Sequence, residues 1–266
     1  AGHIRICAAN PSTPAEAQAA CAGRPGFAGV LRADDIAATG PFLAHAMPDM
    51  RGFGRAFSGL ATAGLTAVSI ALAAASLLPV FHSPAADWPQ WRGANRDDHS
   101  PDTGIAKRWP EGGPKQLWVF DDAGLGYSGC AIVGDVLYTM GLRGDVEHLL
   151  AVDAKTGKQK WSVEIGPILK NGWGDGPRGT PTVSGDTVFA LSGQGVVVAA
   201  KVGDGKEIWK ANLRDFGGKT PGWGYTESVL VDDGKVICTP GGGQGTLLAL
   251  DVATGKKVWQ TDGWTY

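Results

Sequence analysis

From Lys115 onward, apolar and polar positions alternate in short runs broken by Gly and Asp, and from Ala131 the runs follow a fixed order. Ala131–Tyr138, Pro181–Phe189 and Ser228–Ile237 each contain two β-rich runs flanking a Gly/Asp turn, the pattern of a two-stranded hairpin. A third run follows each hairpin, at Leu149–Val152, Val196–Ala200 and Thr246–Leu250. A turn and a fourth run then lead to Trp161, Trp209 and Trp259. Four antiparallel strands per repeat of about 45–50 residues predict an all-β fold, a β-propeller of four-stranded blades.

The turn before the fourth strand carries most of the repeat's chemistry. Ala151-Val152-Asp153-Ala154-Lys155-Thr156-Gly157, followed by Trp161, recurs as Ala249-Leu250-Asp251-Val252-Ala253-Thr254-Gly255, followed by Trp259. A degenerate middle copy, Ala199 to Trp209, departs at Lys201 and Gly203, where the motif is read as having Asp and Thr. Asp153 and Asp251 can bond local backbone, while Gly157, Gly205 and Gly255 are free to take positive φ. Trp118, Trp161, Trp209 and Trp259 are predicted to pack between blades. No blade buries both faces alone, and each buried indole is worth about 3 kcal/mol against truncation to Ala.

The chain before Lys115 has another texture. Residues 1–46 are rich in Ala, Gly and Pro without a sustained period, and are expected to be a disordered tail or upstream translation ahead of Met47 and Met50. Arg51 and Arg55 introduce an uncharged stretch from Ala56 to Ala86, so residues 47–86 read as a helical signal peptide or N-terminal anchor. Small residues at Ser83–Ala86 predict a mature N-terminus between Pro84 and Trp88. The apolar part nears the ~20 residues of a spanning helix, so an uncleaved anchor stays open. Residues 87–114 read as a polar connector and 115–266 as a partial propeller.

Composition narrows the functions. Among 266 residues, 24 Lys and Arg face 26 Asp and Glu, which leaves no basic footprint for nucleic acid. The 41 Gly and 10 Trp suit short strands, tight turns and aromatic anchors. Cys7, Cys21, Cys130 and Cys238 have no metal-ligand spacing, and no metal site is assigned. Cys130 and Cys238 fall in different repeats, too far apart for a disulfide that needs Cα atoms within about 7 Å. Gly124–Gly129 matches G-x-G-x-x-G but lacks the following helix that would face a pyrophosphate. Gly193–Gly195 and Gly241–Gly245 are assigned to turns, and His99 and His148 to the surface.

Candidate ligand contacts lie in two equivalent loops, Asn171–Gly179 and Pro221–Glu227, each between one blade's last strand and the next blade's first. Such loops reach a channel mouth, where Trp173, Arg178, Trp223, Tyr225 and Glu227 could stack on or hydrogen-bond a ligand. The competing structural reading is that the glycines permit tight turns and the tryptophans fill gaps between blades.

The Ala-x-Asp-x-x-Thr-Gly-x-x-x-Trp motif, over residues 115–266, resembles the blade motif of the pyrroloquinoline-quinone (PQQ) repeat family. That family includes quinoprotein alcohol dehydrogenases and outer-membrane assembly lipoprotein propellers. Asp87–Gly93, Gly172–Pro181 and Pro221–Ser228 also resemble segments of secreted, quinone-binding-like bacterial propellers. The resemblance implies a ring of about eight blades, so three motifs predict an arc and a reading frame that continues with further repeats.

It also brings PQQ and calcium into view as cofactors. The dehydrogenases carry adjacent cysteines and Glu, Asn and Asp calcium ligands; no Cys-Cys pair occurs here, and no residue is assigned as catalytic. The function expected first is an exported, extracytoplasmic binding or scaffold propeller, periplasmic or secreted, taking a protein partner or small ligand on one face. Membrane contact would come only through the N-terminal segment. A periplasmic PQQ/calcium-dependent alcohol or sugar dehydrogenase and an outer-membrane assembly factor-like propeller stay open. No cysteine follows the apolar segment as lipid anchoring would require.

Overall fold

A computed structural model describes residues 6–10, 31–32, 85–103 and 105–262. The predicted signal or anchor segment, 47–86, lies outside them apart from Ala85 and Ala86. In the stretch 1–46, Ile6–Asn10 forms β1 and Leu31–Arg32 forms β2, parallel to it. β1 runs antiparallel to β3, Lys115–Phe120, giving a three-stranded sheet ordered β2-β1-β3.

Three four-stranded sheets follow, each a simple antiparallel meander in chain order. The first contains β4 (Ala131–Val133), β5 (Val136–Arg143), β6 (Val146–Asp153) and β7 (Gln159–Pro167). The second contains β8 (Thr182–Ser184), β9 (Thr187–Leu191), β10 (Val196–Lys201) and β11 (Glu207–Asn212). The third contains β12 (Leu230–Asp232), β13 (Lys235–Cys238), β14 (Leu248–Asp251) and β15 (Lys257–Gln260). These are the propeller blades expected from the repeat.

Both faces of the middle blade are buried, and period-two alternation divides its side chains between two cores. Val188, Ala190, Val198 and Ala200 pack with Tyr138, Met140, Leu149, Trp161 and Ile165 of the first blade. Phe189, Leu191, Val197 and Ala199 pack with Trp209, Val236, Leu248 and Leu250 toward the third. On the outer side of the first blade, Leu137, Leu150 and Val152 meet Phe120 and Trp118.

One contact recurs at every junction. Ala151, Ala199 and Ala249 stand opposite Trp161, Trp209 and Trp259 across each last strand pair, so a small side chain faces each indole. Trp118 donates Nε1–H to the Ala154 carbonyl at 2.9 Å, Trp161 to Val202 at 3.0 Å and Trp209 to Val252 at 3.0 Å. Each acceptor lies in the next blade's motif turn, whose glycine lies against the ring. Gly205, at φ +72°, would place a Cβ 2.6 Å from the Trp161 ring, and Gly157 and Gly255 stand in the same way to Trp118 and Trp209.

The turns confirm one part of the motif and correct another. Asp153 Oδ1 accepts from the amides of Lys155 and Thr156 and the Thr156 hydroxyl; Asp251 Oδ1 accepts from the amide and hydroxyl of Thr254. These bonds hold both carboxyls below the usual carboxylate range. Because Gly205 takes the place of Gly157, the residue replacing Thr156 is Asp204, not Gly203. Lys201 cannot cap this turn, yet its backbone bonds, Lys201 N–H to Lys206 O and Gly205 N–H to Lys201 O, are retained at 2.9 Å. The glycine and the backbone ladder close it together with Asp204, whose carboxylate accepts from the Lys206 amide at 3.0 Å.

The connector is bound to the blades at its start. The Trp88 N–H and C=O pair with Ile132 on the edge of β4 that β5 leaves free. Asp87 accepts from the Gly134 amide at 2.7 Å, and the Pro89 carbonyl accepts from Val183 N–H of β8 at 2.8 Å. Arg96 then donates to the carbonyls of Ser228 and Val229, just before β12. Residues 87–96 thus reach all three blades: Trp88 and Pro89 cover edge groups of β4 and β8 that would otherwise lack strand partners, and Arg96 holds the carbonyls ahead of β12.

Candidate functional site: an aromatic and arginine-lined axial pocket

The loops from a blade's last strand to the next blade's first gather at one end of the inner strands; the motif turns lie at the other. There the structure forms a pocket of about 620 Å³. Trp91 and Arg96 of the connector, Tyr127, Arg178, Thr180, Thr226, Glu227 and Thr239 line it beside an apolar patch of Leu230, Ile237 and Leu247.

Arg178 is the fixed point of this end. Its Nε donates to the Trp223 carbonyl at 2.6 Å, and its terminal nitrogens donate to Gly176 and Gly174 at 3.2 and 2.8 Å. The guanidinium lies 5.2 Å from the centroid of the Tyr127 ring, a cation–π distance. Tyr127 in turn donates its hydroxyl to the Trp173 carbonyl at 2.7 Å. Gly174, at φ +138°, admits this ring; a Cβ there would collide with it. One arginine therefore ties together loops from successive blades.

Trp173 and Trp223 are 76% and 58% exposed and touch, with centroids 5.6 Å apart and planes 42° from parallel. They fill no gap between blades. With Trp91 at 50% and Tyr127 at 47% exposure, they give this end a group of large apolar rings open to solvent.

Glu227 is a pocket-lining carboxylate. One oxygen accepts from the Thr239 amide at 2.7 Å, and the other from the Thr239 hydroxyl. Burial pushes its pKa up against the pull of those bonds and of Arg96. Tyr225, predicted beside these residues, is instead 3% exposed in the core between the second and third blades. Its hydroxyl is spent on the Pro240 carbonyl at 2.6 Å.

The sequence candidates are therefore divided: Arg178 and Glu227 line the pocket, Trp173 and Trp223 stand beside it, and Tyr225 packs beneath. Trp91, Arg96, Tyr127, Thr180 and Thr239 were missed. The signal that could have pointed to Trp91 was the Trp88-Pro89-Gln90-Trp91-Arg92 cluster in an otherwise plain connector.

A further buried acid lies outside the pocket. Glu147, fully buried on β6, accepts from the amides of Leu169 at 3.0 Å and Gly193 at 2.7 Å. Burial raises its pKa, opposed by those bonds and by the Arg178 charge.

The family described as outer membrane protein assembly factor BamB matches residues 116–265. The chain belongs to this PQQ-repeat propeller family. Over 82 residues it is 42% identical to the BamB of Burkholderia pseudomallei, a stretch that is 31% of this chain and 18% of that protein. The crystal structure of BamB from Moraxella catarrhalis is similar at 24% identity and a TM-score of 0.41, over 56% of this chain and 41% of that one. A quinohemoprotein alcohol dehydrogenase from Comamonas testosteroni gives 20% identity and a TM-score of 0.46, over 66% and 27%. The matched part spans less than half the length of each of these relatives.

Membership in the family brings PQQ and calcium into question. Among the described residues no group of three His, Cys, Asp or Glu could hold a metal ion. Glu227 is the only carboxylate lining the pocket, and Thr239 engages both its oxygens. These residues do not make an oxygen cage for calcium. The G-x-G-x-x-G stretch leads into strand β4 rather than a helix, with Leu125 bonded to Leu142, so it offers no helix N-terminus to a pyrophosphate. Among the described residues no helix is long and apolar enough to cross a membrane.

Proposed function

We propose that this BamB-family chain is part of an extracytoplasmic binding propeller, and that the end bearing Trp91, Tyr127, Trp173, Arg178 and Trp223 receives its partner. The observation that carries the reading is the clustering of four exposed aromatic rings around an arginine held by three backbone carbonyls. Trp, Tyr and Arg are the residues that dominate binding energy at interfaces, and single-domain surfaces seldom leave such a cluster open without a use. Tight backbone anchoring of the loops favours recognition, because little order is lost on binding. The family relationship to BamB, whose name assigns it to outer membrane protein assembly, favours a protein partner in the cell envelope.

The test is site-specific photo-crosslinking of the protein in its own host. A probe at Trp173 or Trp223 should give a discrete adduct in the envelope fraction, while a probe at Lys158, exposed at the opposite end of the blades, should not. Equal adducts from both ends, or none from Trp173 and Trp223, would refute the reading.

A further inference from the structure

The tryptophans of the two equivalent loops form a built surface. Trp173 lies on the loop between the first and second blades and Trp223 on the loop between the second and third, so each loop has both of its blades in the structure. Gly174 and Gly224, both at positive φ, close matching turns by donating N–H to the carbonyls of Asn171 and Pro221 at 2.9 Å. Asn171 Nδ2 donates to the Gly222 carbonyl at 2.7 Å and joins one turn to the other. The two rings touch with their planes 42° from parallel, and both keep a face open to solvent.

The hydrogen-bond inventory beside these rings is one-sided. The Trp173 carbonyl accepts from the Tyr127 hydroxyl, those of Trp223 and Gly174 from Arg178, and that of Gly222 from Asn171. These acceptors are spent within the loops themselves. Donors are left over. The indole N–H groups of Trp118, Trp161 and Trp209 each bond a carbonyl, whereas those of Trp173 and Trp223 meet no acceptor among the described residues. Of the five N–H groups of Arg178, three are engaged by carbonyls.

We infer that the Trp173–Trp223 pair docks a proline-containing segment of the partner in an extended, polyproline II conformation. The inference rests on reading this end of the propeller as the binding end. Proline presents a carbonyl and a flat, C–H-rich ring but no N–H, which is the complement of ring faces with unspent donors. A polyproline II helix has no internal hydrogen bonds, so its carbonyls are free to accept, and it is ordered before it binds. An ordinary strand or loop brings an N–H with nearly every C=O, and those N–H groups would face carbonyls already taken. An amphipathic helix needs a groove for anchors three and four residues apart, whereas these rings stand on exposed turns.

Titration of the whole protein tests this, with decaproline and with a library of peptides of about ten residues that fix prolines three apart, followed through the proton–nitrogen signals of the indoles. The Trp173 and Trp223 signals should move together as the peptide saturates, while those of Trp161 and Trp209, buried and bonded, stay in place. A glycine–serine peptide of the same length should move none of them. Trp173→Ala and Trp223→Ala should each weaken binding at least about tenfold, with unchanged Trp161 and Trp209 signals reporting an intact fold. Trp173→Phe, which keeps a ring face and removes the donor, should fall between Trp173→Ala and wild type. The inference is overturned if neither decaproline nor the library moves the Trp173 and Trp223 signals up to about 5 mM, if the glycine–serine peptide moves them equally, or if any of the three variants binds as wild type. Movement with anionic phospholipid vesicles and with no peptide would likewise overturn it, and give the rings to a lipid surface. A failed peptide screen alongside crosslinking confined to the Trp173 end would remove this inference and leave the binding-end reading standing.

Discussion

Trp161 and Gly205 lie in different repeats and meet as ring and backbone, so each constrains the other. Gly205→Ala would push a methyl into the Trp161 ring at a positive φ, and a loss of about 2 kcal/mol is expected in urea denaturation. Trp161→Ala should lose about 4 kcal/mol, through the cavity it leaves and the Val202 carbonyl it deserts. Glu147→Ala leaves the amides of Leu169 and Gly193 without their acceptors, for an expected loss of about 3 kcal/mol. The pH response is also set at this scale. Glu147 and Glu227 are both raised, chiefly by burial, so the folded state holds their protons more tightly than the unfolded chain. Their contribution is fully present below about pH 4.3 and is lost as pH rises through the folded values. As pH rises above about 4.3 the denaturation midpoint should therefore fall, and Glu147→Gln should flatten that slope. The tryptophan–glycine spacing was legible because it repeats. The role of Glu147 was not, because a single acid in an apolar strand has no counterpart in the other copies.

Among the elements, the hairpins, third strands and motif turns follow local alternation closely enough to be read in advance. The connector does not. Residues 87–96 contain no run that alternates, and their structure comes from the edges of β4 and β8 and from the carbonyls ahead of β12. Replacing Trp88–Arg96 with a Gly/Ser linker should therefore speed hydrogen exchange at Ile132 and Val183, whose amides bond Trp88 and Pro89, while Leu150 inside the first sheet stays protected. Equal exchange at Ile132 and Val183 in both forms would show that the connector does not hold the inner edges. The two loops likewise share a Gly-Trp-Gly pattern, yet Trp223 is exposed while Tyr225, two positions on, is buried, a division set by the Pro240 carbonyl and the Gly195 turn.

At the scale of the molecule, blade order fixes which distant residues can meet. Cys130 stands just before β4 and Cys238 ends β13, with the middle blade between their sheets, and both thiols are free. Burial raises both, Cys130 to about 11. Peptide mapping without reductant should find no bridge between them, and buried Cys238 should alkylate more slowly than half-buried Cys130 in the native protein; a bridge would refute the blade order. The sequence alone determined the blade: four strands, a glycine turn and a terminal tryptophan, all encoded within one repeat and reinforced by recurrence. Only the tertiary structure decided the pocket. Arg96 reaches Val229 across the blades, Arg178 joins Tyr127 to Trp223, and three left-handed residues hold the connector in place. Periodicity records which face of a strand is buried, but contacts between unique residues brought together by blade stacking leave no period to read.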